Sequence, residues 1–472
     1  MKKLSLADNG FLQVESPTTP THVGGVLVHK VPKGVLRQAF FQELLENLRN
    51  WFSAMPPFNQ KLALAPLNAS PPSLVPATQL DLDYHMRHVA LPAPGSIDQL
   101  TQLVAELHTT LLDRDRPLWE FRLIEGVSDN RFAIYLKVHH SVMDGIGAMN
   151  ILKSMMSDDP SNKTLALPST RKRSARAVTP AGFAAKLGKL TDFMRKQAQT
   201  VPELGSAFKD MGLQLIQSDR SDSPAWYTAP PSPLNTPLSD QRRFVVRSFA
   251  LNDFKAISKA AGVTINDAVL AVCSGALRAY FLEHNNLPEK SLVGCLPVSL
   301  RAKGGSDEGN AIASLMCSMG TDISAPLERL RHIHQSTQSG KEQISRMSKP
   351  AIEAYSILLG MPFILGQIMK TNLTPSPWNM IISNVPASDK RLYLCGAELE
   401  GLYAVNLLFE RQALNITVTS YVDSLDFSLL ACRQTIPDLN KIADYITAAL
   451  DELLKALGVA PTKRRKPAAR KI

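Results

Sequence analysis

An α/β fold in two related halves is what this sequence predicts, on three observations. Segments alternating with period two and segments with helical periodicity take turns along most of the chain. Their order is similar in residues 1–157 and 241–457. Between the two lies a stretch rich in Pro, Ser and Arg, which reads as a connection rather than as core. At 472 residues, 44% hydrophobic and 20% charged, the chain has ordinary globular composition and length for two or three domains. It is long enough to bury a sizeable core.

Residues 1–157 form the first region. THVGGVLVHKV reads as a strand, and AFFQELLENLRNWF and IDQLTQLVAELHTTLL read as helices. LWEFRLIEGV and RFAIYLKVHH then make two strands joined by a turn at Ser128-Asp129-Asn130. Residues 158–240 are a linker. Within it, AGFAAKLGKLTDFMRKQAQTV (181–201) places Phe183, Leu187 and Leu190 on one side with Lys186, Lys189 and Arg195 interleaved. A basic amphipathic helix of this kind lies on a membrane or packs against the domains it joins. SPAWYTAPPSPLNTPLS (223–239) is a proline-rich crossing segment.

Residues 241–457 form the last large region. RRFVVRSFAL is a strand and Asn252–Ala261 a short helix, after which Thr264 stands as the N-cap of INDAVLAVCSGALRAYFLE. SLVGCLPVSL is a strand and Leu327–Lys341 a helix. WNMIISNVP, RLYLCGAEL and LNITVTSYVD are strands, and LNKIADYITAALDELLKAL is the closing helix. Residues 458–472 are a basic tail, expected to be disordered.

Composition narrows the function classes. In MKKLSLADNGFLQVES, Asp8, Asn9 and Gly10 interrupt any apolar run, so a signal peptide is not expected. Nor is a membrane span: the nearest stretch, AIEAYSILLGMPFILGQIM (351–369), carries Glu353 and a Gly-Met-Pro break. Cys273, Cys295, Cys317, Cys395 and Cys432 are scattered, without a CxxC pair. They read as reduced thiols of a cytoplasmic protein and not as a zinc site. The net charge of +10 is concentrated in APTKRRKPAARKI (460–472) and STRKRSARAV (169–178). Neither stretch interleaves aromatics or carries a nucleic-acid fold signature, so nucleic acid is not an expected partner. Basic tails are either solvated or bound to anionic lipid, at roughly 1 kcal/mol per residue.

KVHHSVMDG (137–145) is the densest chemistry in the chain. In RFAIYLKVHH, Phe132, Ile134, Leu136, Val138 and His140 share one strand face, while Ala133, Tyr135, Lys137 and His139 share the other. His140 thus ends an apolar row and His139 a more polar one. After Asp144-Gly145 the pattern becomes the helical stripe Ala148, Ile151, Leu152, Met155, Met156. HHSVMDG is therefore a strand-to-helix turn, which lets a side chain on a rigid element face a cleft. An imidazole there, with an ordinary pKa of about 6.5, is available neutral at pH 7 to remove a proton. The ordinary alternative is a pair of histidines satisfied by packing. No third metal ligand accompanies them, no GxSxG elbow is present, and DGIG is too short for a phosphate loop. Asp144 has two readings: it orients the imidazole, or it braces the turn. Gly145 would permit a close backbone approach or unusual dihedrals.

HHSVMDG resembles the HHxxxDG signature of coenzyme-A-dependent acyltransferases. Chloramphenicol and carnitine acyltransferases carry it in looser form, and so do condensation domains of peptide synthetases and the bacterial wax ester synthase/diacylglycerol acyltransferases. ESPTTPTHVGGVLV (15–28), DYHMRH (83–88), RPLWE (116–120), INDAVLA (265–271), LPVSLR (296–301) and ISNVP (382–386) are similar, in order, to segments of the last family. One departure stands out: the family often continues as NVPGP, whereas this chain reads Asn384-Val385-Pro386-Ala387-Ser388.

The resemblance implies two domains, each a mixed β-sheet with helices, and an active-site tunnel at their interface. Acyl-CoA and a long-chain alcohol or diacylglycerol would meet at His140. That residue would act as general base for direct attack of the hydroxyl on the thioester, with no acyl-enzyme. Acyl-CoA enters as substrate, with no cofactor and no metal. His139 supports the turn in this reading. Asn266 positions substrate or oxyanion, its ordinary role being helix capping; Asp267 is structural, and Asn384 donates a hydrogen bond near the thioester. Pro117-Leu118-Trp119 fixes packing near the tunnel, and Ile357–Leu365 lines the alcohol channel or packs in the core. The expected location is cytoplasmic, peripheral at the inner membrane or a lipid-body surface. Two other readings compete: a condensation-type domain using carrier-protein thioesters, and a non-catalytic protein that coats lipid inclusions.

Overall fold

The computed structural model describes residues 2–64, 71–165, 224, 226–299, 312–348 and 376–462, with scattered positions between 351 and 367. The basic stretch 169–178, the helix expected at 181–201, most of Ile357–Leu365 and the tail from residue 463 lie outside the described residues.

The first region runs β1 (Lys2–Lys3), α1 (Leu6–Val14), β2 (His22–Lys30), α2 (Arg37–Ala54), β3 (Gln60–Ala63), β4 (Ser73–Pro76), α3 (Leu82–His85), β5 (Met86–Ala90), α4 (Ile97–Thr109), β6 (Trp119–Val127), β7 (Arg131–His139) and α5 (Gly145–Ser154). After the connection come β8 (Arg242–Ala250), α6 (Leu251–Ala261), α7 (Ile265–Glu283), β9 (Val293–Ser299), β10 (Ile312–Ser318), α8 (Pro326–Ser345), β11 (Met380–Ser388), β12 (Tyr393–Leu394), β13 (Ala397–Val405), β14 (Leu414–Tyr421), β15 (Ser424–Cys432) and α9 (Leu439–Ala456). Local signals explain several boundaries. Ser96 with Gln99 and Thr264 with Asp267 close reciprocal capping boxes at the starts of α4 and α7. Asp129 and Asn130 both take positive φ in the three-residue β6–β7 connection Ser128-Asp129-Asn130, a conformation that Asp and Asn tolerate.

Two six-stranded mixed sheets organise the molecule, in the orders β12-β13-β2-β7-β6-β5 and β10-β9-β11-β14-β15-β8. A small third sheet pairs β1, β4 and β3. RLYLCGAEL, expected as one strand, instead turns at Cys395-Gly396, both at positive φ, and splits between β12 and β13. β13 pairs antiparallel with β2, so residues from the last region complete the sheet of the first.

On one face of the first sheet, α2 packs Phe40, Phe41, Leu44, Leu48, Trp51 and Phe52 against Leu27, Phe121, Phe132 and Ile134. The opposite face is covered as well: Val104 and Ala105 of α4 share a cluster with Ala133 and Tyr135, and Phe244, Val246 and Leu430 of the second sheet join it. The β7 row expected to be the more polar one is therefore buried, Lys137 and His139 included. Burial of both faces leaves the polar atoms to be satisfied internally. Lys137 Nζ donates to the carbonyls of Leu107 and Thr110 and sits 3.1 Å from Glu120. In the second lobe, α7 packs with α6, α8 and α9 over β8–β11, β14 and β15. Contrary to the expectation that no stretch is apolar enough, α7 has the length and composition of a membrane span, yet 67% of that stretch is buried in the protein. It is a core helix.

Candidate active site

β7 delivers the histidine pair to the edge of the first lobe. His139 lies opposite His22 in the β2–β7 ladder, and the His140 N–H donates to the Thr21 carbonyl (2.9 Å), carrying the pairing one residue past the strand. The His140 ring stacks on Phe11 of α1, centroids 4.0 Å apart and planes inclined 24°. The residue is half-buried, and its Nδ1 is buried without a hydrogen-bond partner among the described residues. A buried polar atom with no partner costs about 1–3 kcal/mol and marks a position whose explanation lies outside packing. Burial pushes the imidazole down to about 4, against the raising effect of the Asp144 charge and of its own backbone. The ring is thus neutral at pH 7.

His139 is held on every side. Its Nδ1 accepts from the Ser141 N–H (3.1 Å), which makes Nε2 the protonated nitrogen, 3.0 Å from Thr21 Oγ1 and 3.2 Å from Glu15 Oε1. Glu15, the C-cap of α1, also accepts from Arg114 Nη2 (2.9 Å) and the Thr21 N–H (3.2 Å). Burial raises the Glu15 carboxyl, but these bonds and charges outweigh it and hold the group at about 2. A buried carboxylate therefore ties α1, β2, β7 and the segment before β6 around the turn.

Asp144 is the N-cap of α5, its Oδ1 accepting from the Gly147 N–H (2.6 Å). Among the described residues no hydrogen bond joins it to the His140 ring; it braces the turn and places negative charge beside that ring. Gly145 does not take the unusual dihedrals considered for it, and a Cβ there would meet no atom within 4 Å. Gly147 is the constrained glycine, since its Cβ would come within 2.8 Å of Asp144 Oδ1. Leu118 of the Pro117-Leu118-Trp119 segment accepts the His139 N–H (3.0 Å), and the Trp119 indole donates to the Phe58 carbonyl (2.8 Å).

The remaining candidates gather in the second lobe. Asn266 occupies the first turn of α7, half-buried, and its Oδ1 accepts from Nδ2 of the exposed Asn384 of β11 at 3.4 Å. Asp267, fully buried, closes the capping box with Thr264 and accepts from His334 Nδ1 (2.8 Å) and Thr337 Oγ1 (2.7 Å) of α8. Among the described residues no hydrogen bond links His140 or Asp144 to the asparagine pair. The two groups approach through packing instead: Val385 and Ala387, just past Asn384, belong to the apolar cluster that holds Val138 and Met143. Glu15, Thr21, Ser141, Phe11, His334 and Thr337 carried no role in the sequence reading. Glu15 at least heads the segment ESPTTPTHVGGVLV, whereas nothing in sequence pairs His334 with an aspartate 67 positions earlier.

Two mixed sheets, one bearing a histidine on the turn that ends its central strand, define the two-lobe coenzyme-A-dependent acyltransferase class. Known proteins specify the family. The model of the wax ester synthase/diacylglycerol acyltransferase catalytic domain matches residues 4–269, and that of the WS/DGAT C-terminal domain matches 308–454. The O-acyltransferase WSD of Acinetobacter baylyi is 37% identical over 454 residues, covering 94% of this chain and 95% of that protein. The wax ester synthase/diacylglycerol acyltransferase structure from Marinobacter aquaeolei VT8 superposes with a TM-score of 0.76 at 33% identity, covering 97% of this chain and all of that one. The first condensation domain of the CDA synthetase shares the fold alone, with a TM-score of 0.58 at 14% identity over 98% of this chain and 96% of its own. The chain belongs to the wax ester synthase/diacylglycerol acyltransferase family.

Proposed function

We propose that this protein transfers a long-chain acyl group from acyl-CoA to the hydroxyl of a fatty alcohol or diacylglycerol, for storage lipid synthesis. The observation that carries the assignment to residues is the desolvated, neutral His140, whose Nδ1 has no partner among the described residues, on a braced turn in a chain of this family. His140 takes the hydroxyl proton as the alcohol oxygen attacks the thioester carbon. The tetrahedral adduct collapses to the ester, the C–S bond breaks, and the imidazolium returns its proton to the CoA sulfur. Burial weakens the resting base, but negative charge developing on the adduct favours the imidazolium when the proton moves. Asn384 occupies the Asn266 Oδ1, which leaves the Asn266 amide N–H groups to donate to the adduct's oxyanion. Acyl-CoA and acceptor reach the base along the seam between the lobes. Palmitoyl-CoA with hexadecanol or dioleoylglycerol, read by thiol release, tests the reaction: ester and free thiol are expected in equal amounts. Full turnover by His140→Ala would remove the catalytic assignment, and no turnover by the intact chain would favour an inclusion coat.

The same reading places the protein in the cytoplasm, peripheral to the inner membrane or a lipid body. Each CH₂ of the substrate favours an apolar phase by roughly 0.8 kcal/mol, so the substrates reside there. The six Lys/Arg of residues 460–472 suit an anionic surface. Truncation before Ala460 is expected to weaken binding to anionic liposomes, and unchanged binding would reject the tail's part.

A further inference from the structure

The polar cluster between α7 and α8 has more bonds than a helix cap requires. A capping box is complete once Thr264 Oγ1 accepts from the Asp267 N–H (3.2 Å) and Asp267 Oδ2 from the Thr264 N–H (3.0 Å). Here α8 adds two donors to the same carboxylate, His334 Nδ1 on Oδ2 and Thr337 Oγ1 on Oδ1. Asp267 is wholly buried; burial raises its carboxyl, yet these bonds keep it below the usual range, so an anion sits in the core. Such a group is costly unless fully bonded, which makes its geometry stiff. α8 is itself pinned. Ser336 Oγ accepts from the Ser318 N–H (3.0 Å) and His332 Nε2 lies 2.7 Å from Ser318 Oγ, both at the end of β10. One residue before Asp267, on the same helical turn, stands Asn266 with its bond to Asn384.

We infer that His334 is a positioning residue for acyl transfer: through Asp267 it fixes the first turn of α7, and with it the direction in which the Asn266 amide points. The inference rests on the role given to Asn266 above. A hydrogen bond that orients a donor for the transition state acts on kcat and leaves ground-state binding alone. A misplacement of about 1 Å at such a donor costs up to roughly 100-fold.

The experiment is a double-mutant cycle on the full chain, with palmitoyl-CoA and hexadecanol. His334→Phe keeps the ring's bulk and removes the donor; its kcat is expected to fall roughly 10- to 100-fold with KM within about twofold. His334→Asn, whose Nδ2 falls where the imidazole Nδ1 was, is expected to restore most of the loss. In an Asn266→Ala background, His334→Phe is expected to add almost nothing, because the group it positions is gone. Multiplicative losses, or a His334→Phe enzyme with unchanged kcat, would overturn the inference while leaving the acyltransferase intact. A harmless Asn266→Ala would instead strike the role of Asn266. Should His334→Phe fail to fold, Thr337→Val against Thr337→Ser repeats the test on the other oxygen, with the same loss, rescue and non-additivity expected.

Discussion

The two helices that carry the site begin in opposite ways. α5 starts from a half-buried Asp144 that makes one hydrogen bond, directly after a turn whose histidine ring has none among the described residues. α7 starts from Thr264, and three residues on the fully buried Asp267 carboxylate accepts three hydrogen bonds, two of them from another helix. In the proposed reaction the base must present a lone pair; the His140 ring makes no hydrogen bond among the described residues, while its neighbour His139 is held by Glu15, Thr21 and Ser141. In the role proposed for it the Asn266 amide must point in one direction, and the Asp267 carboxylate beside it is bonded on both oxygens. One end of the candidate site holds a desolvated, neutral imidazole, the other a helix start fixed by hydrogen bonds.

Removing the reactive end is expected to do the most damage. His140→Ala should lower kcat by roughly 10²- to 10⁴-fold in the thiol-release assay, the range for a general base. Asn266→Ala should cost less, up to roughly 10²- to 10³-fold, as for one oxyanion donor. Equal losses would erase the distinction between the two ends.

Acid should separate the lobes next. Five histidines of the first lobe, His22, His29, His85, His108 and His140, are held below the ordinary value mainly by burial, His29 and His108 to about 3. Each binds a proton less readily in the folded protein than in the unfolded chain, which takes protons up below about pH 6.5. Their contribution is complete above that pH and is lost as pH falls toward the folded values, by up to about 1.4 kcal/mol per pH unit for each. Glu15, held at about 2, loses its share below about 4.5. In the second lobe, Asp426 of β15 is pushed up to about 6 by burial. The sign reverses there, for its deprotonation opposes folding as pH rises from about 3.8 to 6. Hydrogen exchange between pH 6.5 and 4 should therefore show the first lobe opening first; simultaneous opening would contradict this.

Glu15→Gln probes the brace behind His139. It should destabilise the first lobe by about 1–3 kcal/mol, as for a buried hydrogen-bonded group left mismatched, and lower the melting temperature. The smallest effects belong to Asp144. Asp144→Ala removes the α5 cap for about 0.5–2 kcal/mol, whereas Asp144→Asn keeps the cap and removes only the charge. Because that charge raises the His140 value, Asp144→Asn should move the acid limb of kcat/KM to lower pH.

Periodicity and capping pattern foretold much of this arrangement. Thr264 as the cap of α7, the Asp129-Asn130 hairpin and the turn after His140 all follow from residue type and spacing over a few positions, because backbone conformation there is set by local sterics and local hydrogen bonds. The motif HHSVMDG made His140 the candidate base on those grounds and on family resemblance. Contacts between distant segments carried no such signal. The chain pattern could not place β13 beside β2, bury the Lys137 and His139 row, bring Glu15 to His139, or set His334 on Asp267. Each of those depends on which surfaces cover one another once the helices and sheets pack, and burial, not residue type alone, decides whether a histidine is an idle side chain, a brace or a base.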